Sequence, residues 1–189
     1  RFEKTFTAEL CSLLAKSGCI AVTGGLEVAS DRLLTKMKKG VDIAQVARVT
    51  KAFSDQNIMV HAYLMYGFPT ETEQETIDSL EVVRQLFETN CIQSAFWHQF
   101  TCTIHSPIGH DPESFGIKIT GPKFEGFAQN DLTHIDEQGA NHTDYREGLN
   151  LALNNYLNGV GFEVPLQDWF DFEVSATTLT SGLIDSFLE

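Results

Sequence analysis

The segment from residue 58 to residue 72 constrains the fold of this chain more than any other stretch. It starts with a run that is apolar at nearly every position and contains β-branched and aromatic side chains, which is typical of a strand covered on both faces in a parallel α/β sheet. Gly67 then allows a backbone conformation that a side chain would block, and Pro69 fixes φ in the turn. Thr72 and Glu75 have the spacing of a capping box, so a helix is predicted to start near residue 73.

The turn after this strand is the first candidate for a ligand site. Barrels and open α/β sheets hold their ligands at the carboxyl ends of the strands. An ordinary strand-to-helix connection that contains a glycine and a proline is the alternative, and spacing alone does not choose between the two.

The rest of the N-terminal region alternates between helices and strands. Capping residues and apolar periodicity predict helices over residues 7–17, 32–38, 43–55 and 73–89. Two more strands are predicted, at residues 19–23 and 92–103. Two successive βαβ units of this kind build a parallel sheet, so the predicted fold class is α/β with three parallel strands.

The C-terminal region is less regular. Residues 104–131 are rich in proline and glycine and predict a long functional loop or a crossing between subdomains. A short strand over 127–135, a helix over 144–157 and a last helix from Ser181 are predicted after it. The aromatic residues beyond Gly161 indicate packing rather than chemistry.

Composition disfavours several classes of protein. The net charge of -13 disfavours nucleic-acid binding, which depends on clustered Lys and Arg. No run of about 18 apolar residues occurs, so no membrane association is expected. The chain starts with Arg1 and not with a methionine, and we expect it to be a segment of a longer, cytoplasmic protein.

No metal site is predicted. The four cysteines have no metal-ligand spacing, and we expect buried free thiols in a reducing compartment. They are Cys11, Cys19, Cys91 and Cys102. His105 and His110 could form a metal pair, but no third ligand accompanies them.

Two glycines stand at the end of the first predicted strand. Gly24 and Gly25 come directly before Leu26 and Glu27. Glycines at a strand end indicate that something approaches this backbone closely. A flexible turn with a solvated glutamate is the alternative.

Two segments together resemble a known family. Residues 25–41 contain Gly-Leu-Glu, Ser-Asp-Arg-Leu-Leu and Met-Lys-Lys-Gly-Val. They resemble the Gly-Ile/Leu-Glu-Ser-Gly-Ser-Asp, Leu-Leu and Met-Asn-Lys-Gly run after the fourth strand of the radical S-adenosylmethionine (radical SAM) core. Residues 66–72, Tyr-Gly-Phe-Pro-Thr-Glu-Thr, resemble the Gly-Leu-Pro-Gly-Glu-Thr turn after its fifth strand. The resemblance covers about residues 1–108, and it is to the second half of a core that is often preceded by a cobalamin-binding domain.

The resemblance implies the second half of a partial (β/α)6 TIM-like barrel over residues 1–108 and a family-specific α+β extension over 109–189. In that family the ends of the fourth to sixth strands wrap S-adenosylmethionine (SAM). Glu27 would face the ribose and methionyl part, and Lys39 would lie near the methionyl carboxylate, unless Lys39 is only a solvated cation at a helix end. The backbone at Tyr66 and Gly67 would border the adenine. The cofactor-binding residues implied are Gly25, Glu27, Lys39, Tyr66, Gly67 and Pro69.

The chain departs from the family pattern in two places. Val28 and Ala29 stand where the family has Ser and Gly, which removes an expected hydroxyl contact. The chain also lacks the C-x-x-x-C-x-x-C triplet whose thiolates hold a [4Fe–4S] cluster. We therefore expect the cluster ligands upstream in the parent protein, and no catalytic residue, no cluster and weak or no SAM binding in this segment alone. Cobalamin is a further cofactor compatible with the resemblance.

The strand at 92–103 provides the predicted substrate side. Alternation places Phe96 and His98 on one face and Trp97 and Gln99 on the other. Either His98 or Gln99 would then be a polar group near the substrate, and His105 follows at the carboxyl end of the strand. A satisfied core histidine is the alternative for His98.

Two hypotheses remain open at this stage. In the first, the parent protein is a radical SAM Fe–S oxidoreductase that cleaves SAM reductively and acts on a small-molecule or unknown substrate. In the second, the segment is a non-catalytic α/β module that binds a nucleotide or a partner. If the chain is half of a six-stranded barrel, the strand at 19–23 would have an unpaired edge, through which two copies could form a dimer.

Overall fold

A computed structural model describes residues 1–122 and 129–189. Its central feature is a parallel sheet of β1 (Ala21–Glu27), β2 (Met59–Tyr66) and β3 (Ser94–Gln99), in the order β1–β2–β3. The predicted α/β class with three parallel strands is therefore confirmed. The arrangement is consistent with a partial TIM-like fold.

Helices precede and connect the three strands. α1 (Ala8–Lys16) comes before β1, and α2 (Asp31–Lys36) and α3 (Ile43–Ser54) lie between β1 and β2. α4 (Glu73–Glu88) joins β2 to β3. Each βαβ connection therefore returns the chain to the same end of the sheet, which keeps the strands parallel.

The helix starts follow from local side-chain chemistry. In all four cases the residue before the helix accepts a hydrogen bond from a backbone N–H of the first turn, which satisfies a donor that the helix itself leaves free. These caps are Thr7, Ser30, Asp42 and Thr72. Thr72 and Glu75 form the complete predicted capping box.

The C-terminal extension adds a small hairpin and further helices. A short helix, α5 (Pro107–His110), is followed by β4 (Ile117–Ile119), which pairs antiparallel with β5 (His134–Asp136). α6 (Tyr145–Leu157) and α7 (Leu183–Leu188) complete the chain.

The prediction of a strand over 127–135 is only partly testable, since residues 127 and 128 lie outside the described residues. The regular strand in this region starts at His134 and ends at Asp136, one residue beyond the predicted end. β4 was not predicted because its three residues are too few for a periodicity signal.

One face of the parallel sheet is packed under helices. Along β2 the residues Val60, Ala62, Leu64 and Tyr66 are all buried. α6 packs against β3 and α4, and α7 packs against α3 and α4, so the extension contributes to the same hydrophobic core as the sheet.

The opposite face of the sheet is open in the part of the chain that the structure describes. Met59 and Tyr63 on β2 are 55% and 46% exposed, and Phe96 on β3 is 51% exposed. The prediction that the strand at 58–66 is covered on both faces is therefore wrong for these residues. It failed because Met59, Tyr63 and Met65 are large and apolar, so the strand reads as a continuous apolar run although only alternate residues pack.

A second hydrophobic cluster lies at the carboxyl ends of the strands. It joins the segments after β1 and β2 to the extension, which places the β4–β5 hairpin beside both predicted ligand-binding turns. Its buried members are Val28, Leu33, Phe68, Cys102, Ile108, Ile117 and Leu132.

β1 hydrogen bonds only to β2 among the described strands, so its outer edge is free, as predicted. Across residues 1–122 and 129–189, no helix has the length and apolarity needed to cross a bilayer.

Candidate functional site

The predicted cofactor-binding segments meet at the carboxyl edge of the sheet. The strand register pairs Gly25 with Tyr63 and Glu27 with Leu64, and it pairs Tyr66 with Gln99. The ends of the three strands therefore lie side by side, as expected for a ligand site in a parallel sheet.

Glu27 and Lys39 form an ion pair at the end of β1. Glu27 Oε1 lies 2.8 Å from Lys39 Nζ, and the two side chains are 20% and 29% exposed, respectively. Neither residue is therefore the freely solvated charge of the alternative interpretation. Both side chains remain partly exposed, so the pair contributes only modestly to stability and its groups can exchange partners with a ligand.

Gly25 makes room for this ion pair. A Cβ atom at Gly25 would collide with Glu27 Oε1, so the carboxylate folds back over the strand only because position 25 has no side chain. A β-bulge between Gly25 and Glu27 and a φ of 64° at Glu27 turn the carboxylate in this direction. Gly25, Glu27 and Lys39 therefore form one unit.

At the end of β2, only the backbone can serve a ligand. The Tyr66 side chain is 2% exposed and contacts Trp97 in the core under the helices, with ring centroids 6.3 Å apart. The carbonyl group of Tyr66 already accepts a hydrogen bond from the Phe100 N–H. Gly67 has a φ of 75°, which confirms that this position needs glycine. Pro69 is buried in the turn.

The turn after β2 contains a buried carboxyl group that sequence reasoning did not single out. Glu71 is fully buried and accepts hydrogen bonds from the Phe68 N–H and the Thr76 hydroxyl, both at 2.9 Å. Burial raises the pKa of Glu71 to about 7. Thr76 Oγ1 also lies 2.7 Å from Nε2 of His142 in the extension, and burial lowers the pKa of that imidazole.

Glu75 connects the turn to α2 through Arg32. The Arg32 guanidinium group approaches both carboxylate oxygens, with Nε 2.8 Å from Oε1 and Nη2 2.6 Å from Oε2. Burial alone would raise the pKa of Glu75, but hydrogen bonds from Arg32, the Thr72 backbone and Ser30 lower it to about 2. Glu75 therefore holds the two predicted binding segments, 25–41 and 66–72, together through its hydrogen bonds to Arg32 and Thr72.

The predicted substrate residues do not lie together. His98 is exposed on the open face of the sheet, while Gln99 is exposed at the end of β3, with Cγ 3.9 Å from where a Cβ atom of Gly67 would lie. His105 is exposed in the turn before α5. The core alternative for His98 does not hold in the described residues, because its ring is not buried.

The open face contains a continuous row of rings that includes His98. Ring centroids are 5.1 Å apart for His61 and Tyr63, 5.7 Å for Tyr63 and His98, and 4.6 Å for His98 and Phe96. Nδ1 of His61 also lies 2.7 Å from Oγ of Ser94. Sequence reasoning missed His61 and Tyr63, although alternation along β2 would have placed them on one face.

The cysteines do not form a cluster site in the described part of the chain. Burial raises the pKa of Cys11, Cys91 and Cys102, which keeps these thiols protonated. Cys11 and Cys91 lie in the main hydrophobic core, and Cys102 lies in the second cluster. Within residues 1–122 and 129–189, no group of three His, Cys, Asp or Glu residues could hold a metal ion. A [4Fe–4S] cluster needs cysteine thiolates, so these residues do not fit it.

In a comparison with protein families, residues 3–83 match the model of the Radical SAM superfamily. The matched region extends from before α1 into α4 and includes both predicted binding segments. The superfamily in general uses SAM and a [4Fe–4S] cluster. No curated protein sequence matches the chain.

Proposed function

We propose that this chain provides the SAM-binding part of a radical SAM enzyme. The observation that carries the proposal is the Glu27–Lys39 ion pair above Gly25, at the carboxyl end of a parallel strand and within the region that the family model matches. In such an enzyme a reduced [4Fe–4S] cluster would supply the electron that cleaves the bound SAM. Since the described cysteines do not fit a cluster, its thiolates belong to another part of the parent protein in this proposal.

The chemistry of the pair fits the amino-acid end of SAM. Lys39 would donate to the methionyl carboxylate, and Glu27 would accept from the methionyl ammonium group or from a ribose hydroxyl. The ligand thus replaces one charge-assisted contact with two of the same kind. The backbone at Gly67 would border the adenine, since no side chain there obstructs the approach.

The open face of the sheet would hold a small-molecule substrate in the same proposal. The row of His61, Tyr63, Phe96 and His98 starts next to the strand ends and offers both apolar surface and imidazole nitrogens. Residues 109–189 would act as an extension that borders this site, and residues 1–108 as the barrel part. Cobalamin remains a prediction from the resemblance alone.

A non-catalytic binding module is the second candidate. It is favoured by the donor set of the described residues, which includes hydrogen-bonding groups for a nucleotide-like ligand but no group of cluster ligands. In this case the same ion pair would bind SAM or a related zwitterion without cleaving it.

The test uses the full-length protein, purified without oxygen and supplied with iron and sulfide. SAM affinity is measured by equilibrium dialysis, and cleavage is measured as 5′-deoxyadenosine. Glu27→Gln and Lys39→Met are each expected to raise the Kd about tenfold or more, the effect of one lost charge-assisted hydrogen bond.

Lys51→Met is the matched control for these variants. Lys51 forms an ion pair with Asp55 on α3 at 3.0 Å and is 32% exposed, close to the 29% of Lys39. Its Kd should equal that of the wild type. Binding without cleavage by a cluster-loaded protein would favour the module, and unchanged affinity in both site variants would refute the proposed site.

A further inference from the structure

Thr70 has a backbone conformation that disfavours its own side chain. Its φ is 71°, in the left-handed region that glycine tolerates and β-branched residues avoid. The turn that residues 66–72 resemble has glycine at this position. Among the described non-glycine residues with positive φ, Thr70 is the one with a β-branched side chain.

The hydroxyl group of Thr70 has a specific use that glycine could not supply. Thr70 Oγ1 accepts hydrogen bonds from Arg32 Nη1 at 3.2 Å and from Lys36 Nζ at 3.1 Å. Arg32 Nη2 also donates to the Thr70 carbonyl group at 2.8 Å. Both cations belong to α2, so the hydroxyl holds one face of that helix against the turn.

Lys36 depends on this contact more than Arg32 does. Arg32 is also held by Glu75, whereas no carboxylate lies within ion-pair distance of Lys36 in the part of the chain that the structure describes. Burial and the neighbouring Arg32 lower the pKa of Lys36, and the Asp136 carboxylate opposes them only in part. An ammonium group in this position needs an acceptor, and Thr70 Oγ1 provides it.

The extension holds the other side of the same residue. The Thr70 N–H donates to Asp136 Oδ2 at 2.6 Å, and the Ala140 N–H donates to the Glu71 carbonyl group at 3.0 Å. Asp136 is itself fixed by the N–H groups of Gln138 and Gly139, which donate to Oδ1. Three segments far apart in sequence therefore meet at Thr70.

The position of α2 determines the position of Lys39. The Lys39 N–H donates to the carbonyl group of Leu34, so Lys39 continues directly from the C-terminal turn of α2. From there its side chain reaches Glu27 at the end of β1. A small rotation of α2 would move the ammonium group away from the carboxylate.

We propose that Thr70 is a positioning residue whose hydroxyl group fixes α2, and through it Lys39, in the arrangement that binds the amino-acid end of the ligand. The ligand's identity as SAM rests on the proposed function. The mechanical link from Thr70 to α2 stands on the contacts alone.

Three substitutions in the full-length, cluster-loaded protein separate the hydroxyl from the backbone conformation. Thr70→Ser keeps the hydroxyl, Thr70→Val keeps the branched shape without it, and Thr70→Gly removes both hydroxyl and steric conflict. Asn90→Gly is the control, since Asn90 also has a positive φ, of 57°, but lies between α4 and β3. Three quantities are measured: the thermal unfolding midpoint, hydrogen exchange of the 31–41 amides without ligand, and the Kd for SAM.

Thr70→Gly is expected to unfold at the wild-type temperature or above it, yet to show faster exchange over residues 31–41 and a Kd raised about tenfold. Thr70→Val should show the same exchange and Kd, and Thr70→Ser and Asn90→Gly should match the wild type in both. Unchanged exchange in Thr70→Gly, or a Thr70→Ser variant that behaves like Thr70→Gly, would overturn the inference. If the wild type itself does not bind SAM, the proposed function fails, while the exchange data still decide whether Thr70 holds α2.

Discussion

Replacing Glu71 with glutamine is expected to remove a pH dependence of stability. Glu71 is fully buried, and burial raises its pKa from the ordinary 4.5 to about 7. The ionised carboxylate accepts a hydrogen bond from the Thr76 hydroxyl. When Glu71 is protonated this hydrogen bond can reverse, so that the carboxyl group donates to Thr76 Oγ1 and the Thr76 hydroxyl donates to Nε2 of His142, while Nδ1–H of His142 donates to the Ala140 carbonyl group. Each of these polar atoms then has a partner. Glutamine can reproduce these contacts, because its carbonyl oxygen can accept from the Phe68 N–H and one of its two amide N–H groups can donate to Thr76 Oγ1.

The sign of the effect follows from proton linkage. Between pH 4.5 and about pH 7, the folded chain keeps a proton on Glu71 that the unfolded chain has released. The free energy of unfolding therefore falls as the pH rises through this interval, and the loss levels off above it. The difference between a pKa of 4.5 and one of about 7 corresponds to about 3 kcal/mol.

Urea unfolding of the wild type, Glu71→Gln and Glu73→Gln at several pH values measures this directly. Glu73 is an exposed carboxylate two residues away, so its variant should keep the fall in stability between about pH 4.5 and about pH 7 that the wild type shows. Glu71→Gln should gain about 3 kcal/mol relative to the wild type between about pH 4.5 and about pH 8. The His142 imidazole, whose pKa burial lowers, destabilises all three proteins in acid and largely cancels in the comparison. Parallel curves for the wild type and Glu71→Gln would refute the reasoning.

Three further predictions follow from the same contacts. Hydrogen bonds lower the pKa of Glu75 to about 2, so Glu75→Gln should be about 2–3 kcal/mol less stable than the wild type above pH 4.5, and this difference should vanish as the pH falls through about 2. Urea titration measures the difference, and an equal value at all pH values would contradict the prediction. Tyr63→Ala on the open face should change the free energy of unfolding by less than about 0.5 kcal/mol, whereas Leu64→Ala under the helices should lower it by about 2–5 kcal/mol. Equal losses of stability in the two variants would mean that the open face is covered in the whole protein. If two copies associate through the free edge of β1, sedimentation velocity should detect a dimer that Ala21→Lys abolishes, and a dimer that survives this change must use another surface.

Local signals in the sequence were sufficient for the elements of the N-terminal part. The caps Thr7, Ser30, Asp42 and Thr72 each begin a helix through a contact with a backbone N–H three residues later, and such short-range chemistry is visible in any window of the chain. The same is true of Gly67, where the turn needs a positive φ. The parallel sheet followed from these elements because strands that alternate with helices have few other ways to pair.

The sequence pointed to Glu27 and Lys39 individually as candidate ligand residues, but it did not show that they contact each other. Glu27 and Lys39 were assigned separate contacts on a ligand, and the structure joins them in one ion pair with Gly25 beneath it. The sequence did not show on which face of the sheet the side chains of Tyr66 and His98 lie. The side chain of Tyr66 points into the core and that of His98 into the open face, because the strand register decides which alternate residues the helices cover.

The sequence by itself determined the order of the elements, the helix caps, the glycine turn and the two segments that resemble a SAM site, since each depends on residues close together in the chain. Only the tertiary structure decided that one face of the sheet is open, that Thr76 beside the buried Glu71 contacts His142, and that Thr70 joins α2 to the extension through Lys36 and Asp136. These contacts connect residues separated by 34 or 66 positions. No periodicity or local propensity encodes such pairs, because they form only when packing brings distant segments to the same edge of the sheet.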